Sequence, residues 1–110
     1  MIQQKTIKVA IAGLGAVGRT VADTLQKMDH IEIVAISARR LKPWMKAYQA
    51  EFTDSPILLT ERDDVDMIIE CLSGVNTAYE VVHRALSNAI PVISSNTMLA
   101  AVHGQTLQTV

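Results

Sequence analysis

The sequence predicts an α/β fold: a parallel, doubly wound sheet with helices on both faces. Three observations carry that expectation. Short apolar runs rich in β-branched residues recur along the chain, polar or amphipathic stretches long enough for helical crossovers separate them, and the runs end in glycine, serine or other small residues. Parallel strands covered by helices on both faces read as near-continuous apolar runs, and strand–helix alternation favours parallel pairing.

The first run, IKVAIAG from Ile7 to Gly13, follows a polar lead-in and reads as a strand buried on both faces. From Ala16 to about Met28 the apolar positions Val17, Val21, Leu25 and Met28 form the stripe of an amphipathic helix. Ile31 to Ser37 repeats the buried-strand pattern. Lys42 to about Glu51 is expected to form a short helix, with Pro43 in a first turn where a missing N–H costs little. Asp54, Ser55 and Pro56 signal a turn, and ILLT after them is a candidate short extra strand. Met67 to Leu72 is the third main strand, closed by Ser73 and Gly74. Thr77 to Asn88 carries Ala78, Val81, Val82, Ala85 and Leu86 at helical spacing, with Asn76 or Thr77 as N-cap. IPVISSN supplies a fourth strand, and Met98 to Val110 a last helix.

Composition limits what the chain can do. With 110 residues, 49% hydrophobic and 19% charged, the whole length, 1–110, is expected to be one folded domain. Ten basic against 11 acidic residues leave a net charge of −1, which provides no overall field for nucleic acid or an anionic membrane. One cysteine rules out an intrachain disulfide and a cysteine-rich zinc site. No run nears the roughly 20 apolar residues that span a bilayer, and no secretion signal opens the chain. The expectation is a cytoplasmic protein without nucleic-acid or membrane partners.

The segment GLGAVG, residues 13–18, stands between the first strand and the first helix, where a phosphate-binding turn belongs. Gly13 permits a tight turn, Gly15 lets a pyrophosphate approach the backbone, and Gly18 lets the helix pack close to the strand. The first helical turn, including Ala16 and Val17, then offers free N–H groups and the positive end of the helix dipole. Together these point to a Rossmann-like doubly wound sheet, truncated to about four main strands, that binds a dinucleotide. An acid at the end of the second strand would favour NAD by bonding the ribose 2′-OH. That strand ends instead in Ser37, Ala38, Arg39 and Arg40, so NADP is favoured, with NAD possible. Arg39 can fork onto a 2′-phosphate, Ser37 can add a hydroxyl, and Arg40 or Lys42 a second cation. Ser73 and Gly74 are expected beside the central phosphates or nicotinamide ribose. Each of these features also has a plain reading as turn, loop exit or solvated basic loop.

Other chemistry-bearing residues draw bland assignments. Cys71 lies in an apolar run with no His or Asp pattern and reads as a packing thiol. His30, His83 and His103 lack ligand spacing. Trp44 reads as core rather than an adenine cover, and Asp63, Asp64 and Asp66 as a solvated turn rather than a calcium loop.

The chain resembles the nucleotide-binding domain of the homoserine dehydrogenase family. KVAIAGLGAVG resembles that family's opening strand and phosphate loop, IVAISAR its second strand, DVDMIIECLSG its third strand, and PVISSNTMLAAVHGQTL its asparagine-bearing segment, with Asn96, Leu99, Ala100, His103 and Gly104 in register. The resemblance implies an NAD(P)-dependent oxidoreductase interconverting aspartate semialdehyde and homoserine. It implies that Gly13, Gly15, Ala16, Val17 and Gly18 hold the pyrophosphate, Arg39 the adenosine phosphate, and Ser73, Gly74 and Asn96 the nicotinamide side. Thr97 stands where the family places a lysine, and the family's substrate residues belong to a later domain. The chain alone is therefore expected to bind nucleotide without turnover. A stand-alone, non-catalytic nucleotide-binding or regulatory module is the alternative, and a related aspartate dehydrogenase or dihydrodipicolinate reductase fits less well. An open sheet edge predicts a homo-oligomer.

Overall fold

A computed structural model describes residues 5–95. Five parallel strands form one sheet: β1 (Ile7–Ala12), β2 (Ile31–Ser37), β3 (Glu51–Thr53), β4 (Met67–Glu70) and β5 (Val92–Ser94), in the spatial order β3-β2-β1-β4-β5. Strand order reverses between β1 and β4. In a doubly wound sheet that reversal opens a crevice above the strands' carboxyl ends.

The side-chain alternation of β1 shows why the sheet is covered twice. Val9 and Ile11 pack with α1 (Ala16–Gln26) in a core that takes in Leu14, Ala22, Ile36, Met45 and Tyr48. Ala10 and Ala12 point to the other face and pack with α2 (Val75–Ser87) through Ile68, Val81, Ala85 and Leu59. Successive strand residues face opposite sides, and here both sides are dry. All four of these β1 residues are buried, as the uninterrupted apolar run predicts. Alanine on the α2 face keeps that helix close.

Several boundaries differ from the sequence expectation, each for a local reason. Residues 42–51 do not make one helix. Pro43–Ala47 is a single 3-10 turn, and the segment then straightens so that Glu51–Thr53 can pair with Ala35–Ser37 of β2. The predicted extra strand over Ile57–Thr60 is a second 3-10 turn, Pro56–Glu61, in which the Thr60 hydroxyl donates to the Ile57 carbonyl at 2.7 Å. A short apolar run fits either a buried strand or a buried helical turn, and Pro56, lacking an N–H, settles it toward the turn. The count of main strands thus rises from four to five through β3. α1 stops at Gln26, two residues before Met28, with the Met28 N–H tightened onto Leu25 at 3.0 Å. α2 begins at Val75 with Gly74 in the capping position and no side-chain cap, in place of Asn76 or Thr77. Among the described residues, no helix is long and apolar enough to cross a membrane. Asn96, Thr97 and the expected helix from Met98 lie outside the described residues.

Candidate functional site

The exits of β1, β2, β3 and β4 surround a cleft of about 640 Å³. Of the residues singled out from sequence, Gly13, Gly15, Ser37, Arg39, Arg40, Ser73 and Gly74 line it, joined by Lys42. Ala16 and Val17 stand exposed in the first turn of α1 at its mouth, and Gly18 lies buried behind the turn. Asn96 lies outside the described residues.

The three glycines do different things. Gly13 has φ +94°, and a methyl group there would also meet the Cys71 carbonyl oxygen at 2.9 Å. That conformation is left-handed territory where a Cβ is strained. A methyl at Gly18 would lie 2.0 Å from the Gly13 carbonyl oxygen, an overlap only a backbone shift could relieve. Gly18 is therefore demanded by the packing of α1 on the turn after β1, and Gly13 by its left-handed φ and the close approach of the β4 exit. Gly15 is under neither demand. It has φ −82°, and a methyl there meets nothing within 4 Å. The space in front of Gly15 is free for another molecule to approach the backbone.

The turn is fastened from two sides. The Gly13 N–H donates to the Ser37 hydroxyl at 3.0 Å and is shared with the Ser37 carbonyl at 3.2 Å, while the Cys71 N–H donates to the Ala12 carbonyl at 2.8 Å. Ser37 is only 2% exposed, so its hydroxyl oxygen serves the turn, with its proton left for a second acceptor. α1 carries no side-chain cap and no acid in its first turn. Its first N–H groups and dipole are thus left to favour an anion at the mouth of the cleft.

On the other side, Glu70 closes β4 and is fully buried. Its carboxylate accepts the Leu72 N–H at 2.6 Å and the Ser94 hydroxyl at 2.5 Å, and its carbonyl accepts the Ser95 hydroxyl at 3.0 Å. These donors replace the water that burial takes from the carboxyl group. This one shapes the Cys71–Gly74 exit and ties it to β5. Glu70 drew no assignment as a single residue; the signal available was an acid closing an otherwise apolar run.

The rim beyond β2 is a different kind of surface. Arg39, Arg40 and Lys42 are exposed on the lining, and Asp54 joins them from the end of β3. Neither Arg39, Arg40 nor Asp54 forms a hydrogen bond or ion pair with any described residue. Asp54 comes from β3, so the residue pattern at the end of β2 gives no sign of an acid on this rim.

The remaining candidates fall outside the cleft chemistry. Cys71 borders the cleft, and burial pushes its thiol pKa up, away from a reactive thiolate. Trp44 packs into the α1-side core, under the Arg19 guanidinium at 4.0 Å and edge-on to Tyr48. The Tyr48 hydroxyl in turn donates to Asp23. His83 lies against Tyr79 on α2. The acidic turn does structural service: Asp64 pairs with Arg62 at 2.7 Å, and Asp66 accepts the Lys8 N–H at 2.9 Å. No group of three or more metal-ligating side chains occurs among the described residues.

The chain is similar to known proteins over nearly its whole length. A family model described as "Homoserine dehydrogenase, NAD binding domain" matches residues 13–110. Homoserine dehydrogenase of Pseudomonas aeruginosa is 30% identical over 91% of the chain, and that of Neisseria gonorrhoeae 31% identical over 91%. The chain spans 25% of the length of each of these two relatives. A crystal structure of S. aureus homoserine dehydrogenase superposes with a TM-score of 0.79 at 26% identity, covering 97% of this chain and 30% of that one. A 3-ketoreductase from Actinomadura kijaniata, solved with NADP, shares the fold, with a TM-score of 0.81 at 24% identity over 96% of this chain and 35% of that one.

Proposed function

The chain belongs to the family of homoserine dehydrogenase NAD-binding domains, and from that premise we propose that it holds NADP in preference to NAD across the cleft above β1 and β4. The observation that carries the reading is the division among the glycines. Gly13 and Gly18 are explained by the protein's own packing, whereas Gly15 faces open space and is explained by a ligand that must touch the backbone there.

In this reading the pyrophosphate lies against Gly15, Ala16 and Val17, where first-turn N–H groups supply donors without a competing acid, while Gly13 and the buried Gly18, both expected from sequence to touch it, act by shaping the turn. Arg39 forks onto the adenosine 2′-phosphate with Arg40 beside it, since planar guanidinium donors match phosphate oxygens. Ser37 acts through Gly13, whose N–H it fixes, and has a proton to donate into the cleft. Ser73 and Gly74, which follow the Leu72 N–H that Glu70 holds, flank the nicotinamide half, and the family resemblance assigns Asn96 to the same half. The bound nicotinamide supplies hydride transfer; the chain's residues bind and orient it.

We assign the interconversion of aspartate semialdehyde and homoserine to a longer protein or assembly in which this domain serves. The chain alone turns over nothing, because a hydride acceptor must be held in place by groups from elsewhere and Thr97 carries no charge where the family has lysine. Self-association along the β5 edge, where Ile93 is 56% exposed, belongs to the same proposal.

Calorimetric titration of the purified chain with NADP and with NAD tests the reading. NADP is expected to bind the more tightly, and Arg39→Ala to remove about two- to tenfold of that preference, the scale of one exposed charge-assisted contact. Absence of heat with both nucleotides, or homoserine-dependent NADPH formation by the chain alone, would overturn it.

A further inference from the structure

β3 brings an acidic group to the rim where the β2 pattern has none. The pairing of Ser37 with Thr53 sets the exits of β2 and β3 side by side, and the Ala38 N–H donates to the Thr53 carbonyl at 2.9 Å. The chain turns at once: the Ser55 N–H donates to the Thr53 hydroxyl at 3.2 Å, and Pro56 opens the following 3-10 turn. Asp54 is held between these two fixed points, on the lining of the cleft that Arg39, Arg40 and Lys42 share. It has no ion pair with them or with any described residue.

We propose that Asp54 is a cofactor-specificity residue, the acidic counterweight to Arg39 and Arg40 at the adenosine end of the cleft. The inference rests on the reading of that end as the adenosine side. A carboxylate accepts hydrogen bonds from ribose hydroxyls and repels a 2′-phosphate; guanidinium groups attract the phosphate. The rim therefore carries both halves of the discrimination, with the acid supplied by β3 rather than by the end of β2. Because all these groups are exposed, solvent and salt screen them, and the resulting NADP preference is modest, leaving NAD usable.

The test is calorimetry with NADP and NAD on the chain and on Asp54→Asn, alongside thermal denaturation. Asp54→Asn is expected to tighten NADP and weaken NAD, moving the ratio of their affinities by about two- to fivefold, with an unchanged melting temperature and a smaller shift at high salt. Arg39→Ala is expected to move the ratio the other way. An unchanged ratio, or equal changes in both affinities, overturns the role of Asp54 while leaving the cleft assignment standing. If the unaltered chain binds neither nucleotide, the cleft assignment fails and this inference falls with it.

Discussion

The glycine turn and the β2–β3 rim border one cleft yet are built by opposite means. At the turn nearly every constraint is backbone: the left-handed Gly13, the Gly18–Gly13 contact, and the Gly13 and Cys71 N–H bonds. At the rim the backbone is only a platform, and the chemistry sits in exposed side chains with no partner among the described residues. The difference matches the two tasks of the dinucleotide site proposed above. In that reading a pyrophosphate, common to NAD and NADP, would be met by backbone N–H groups whose approach only a missing side chain leaves open, and the 2′ position, which differs, by exposed side chains that can change without disturbing the fold.

The contrast can be broken most severely at Gly18. Gly18→Ala forces a methyl to within 2.0 Å of the Gly13 carbonyl oxygen, and a backbone overlap in a core contact is expected to cost about 3 kcal/mol or more. Chemical denaturation monitored by circular dichroism should show the chain unfolding far earlier or failing to fold. Survival at normal stability would mean that α1 can back away from β1 cheaply.

Gly15→Ala sharpens the distinction within the turn. With ordinary φ and open space around the new methyl, the midpoint of denaturation should hold or rise slightly. NADP binding should fall by at least about tenfold, since the methyl occupies the approach to the pyrophosphate. Unimpaired binding would remove the argument that Gly15 answers to a ligand.

The smallest expected effect lies behind the rim. Arg62 donates to Glu51 of β3 and to Asp64, each at 2.7 Å, and so fastens the strand that leads to Asp54. The Arg62 hydrogen bond holds the Asp64 carboxyl below its ordinary pKa. A lowered folded-state value contributes stability that is present above the unfolded pKa and lost as pH falls through the folded one. Arg62→Ala should therefore cost under about 1 kcal/mol at neutral pH, given the exposure of both carboxylates. The difference from the unaltered chain should vanish in acid. A difference that persists unchanged below the carboxylate range would place the loss in packing of the arginine stem rather than in the ion pair.

How much of this could be read in advance depended on how local the cause was. β2 runs from Ile31 to Ser37 and α1 starts at Ala16, both as their apolar patterns require. Gly13 and Gly18 were legible because the same five-residue interval must turn the chain and then pack helix on strand. β3 was not legible: three residues at a sheet edge carry too little periodicity, and Glu51–Thr53 becomes a strand only because β2 offers an unpaired edge beside it. The 3-10 turn Pro56–Glu61 was not legible for the related reason that a short apolar run such as ILLT fits a buried strand or a buried helical turn equally well.

The sequence by itself determined the strand–helix alternation, the glycine turn and the basic end of β2, because each rests on neighbours within a few residues. Tertiary structure alone decided that Asp54 faces the same cleft as Arg39, and that Glu70 clamps the β4 exit to β5. The physical reason is separation along the chain. Charges and donors from different strands meet only after the sheet order is fixed, and that order is chosen by burial of both faces rather than by the residues that end up lining the cleft.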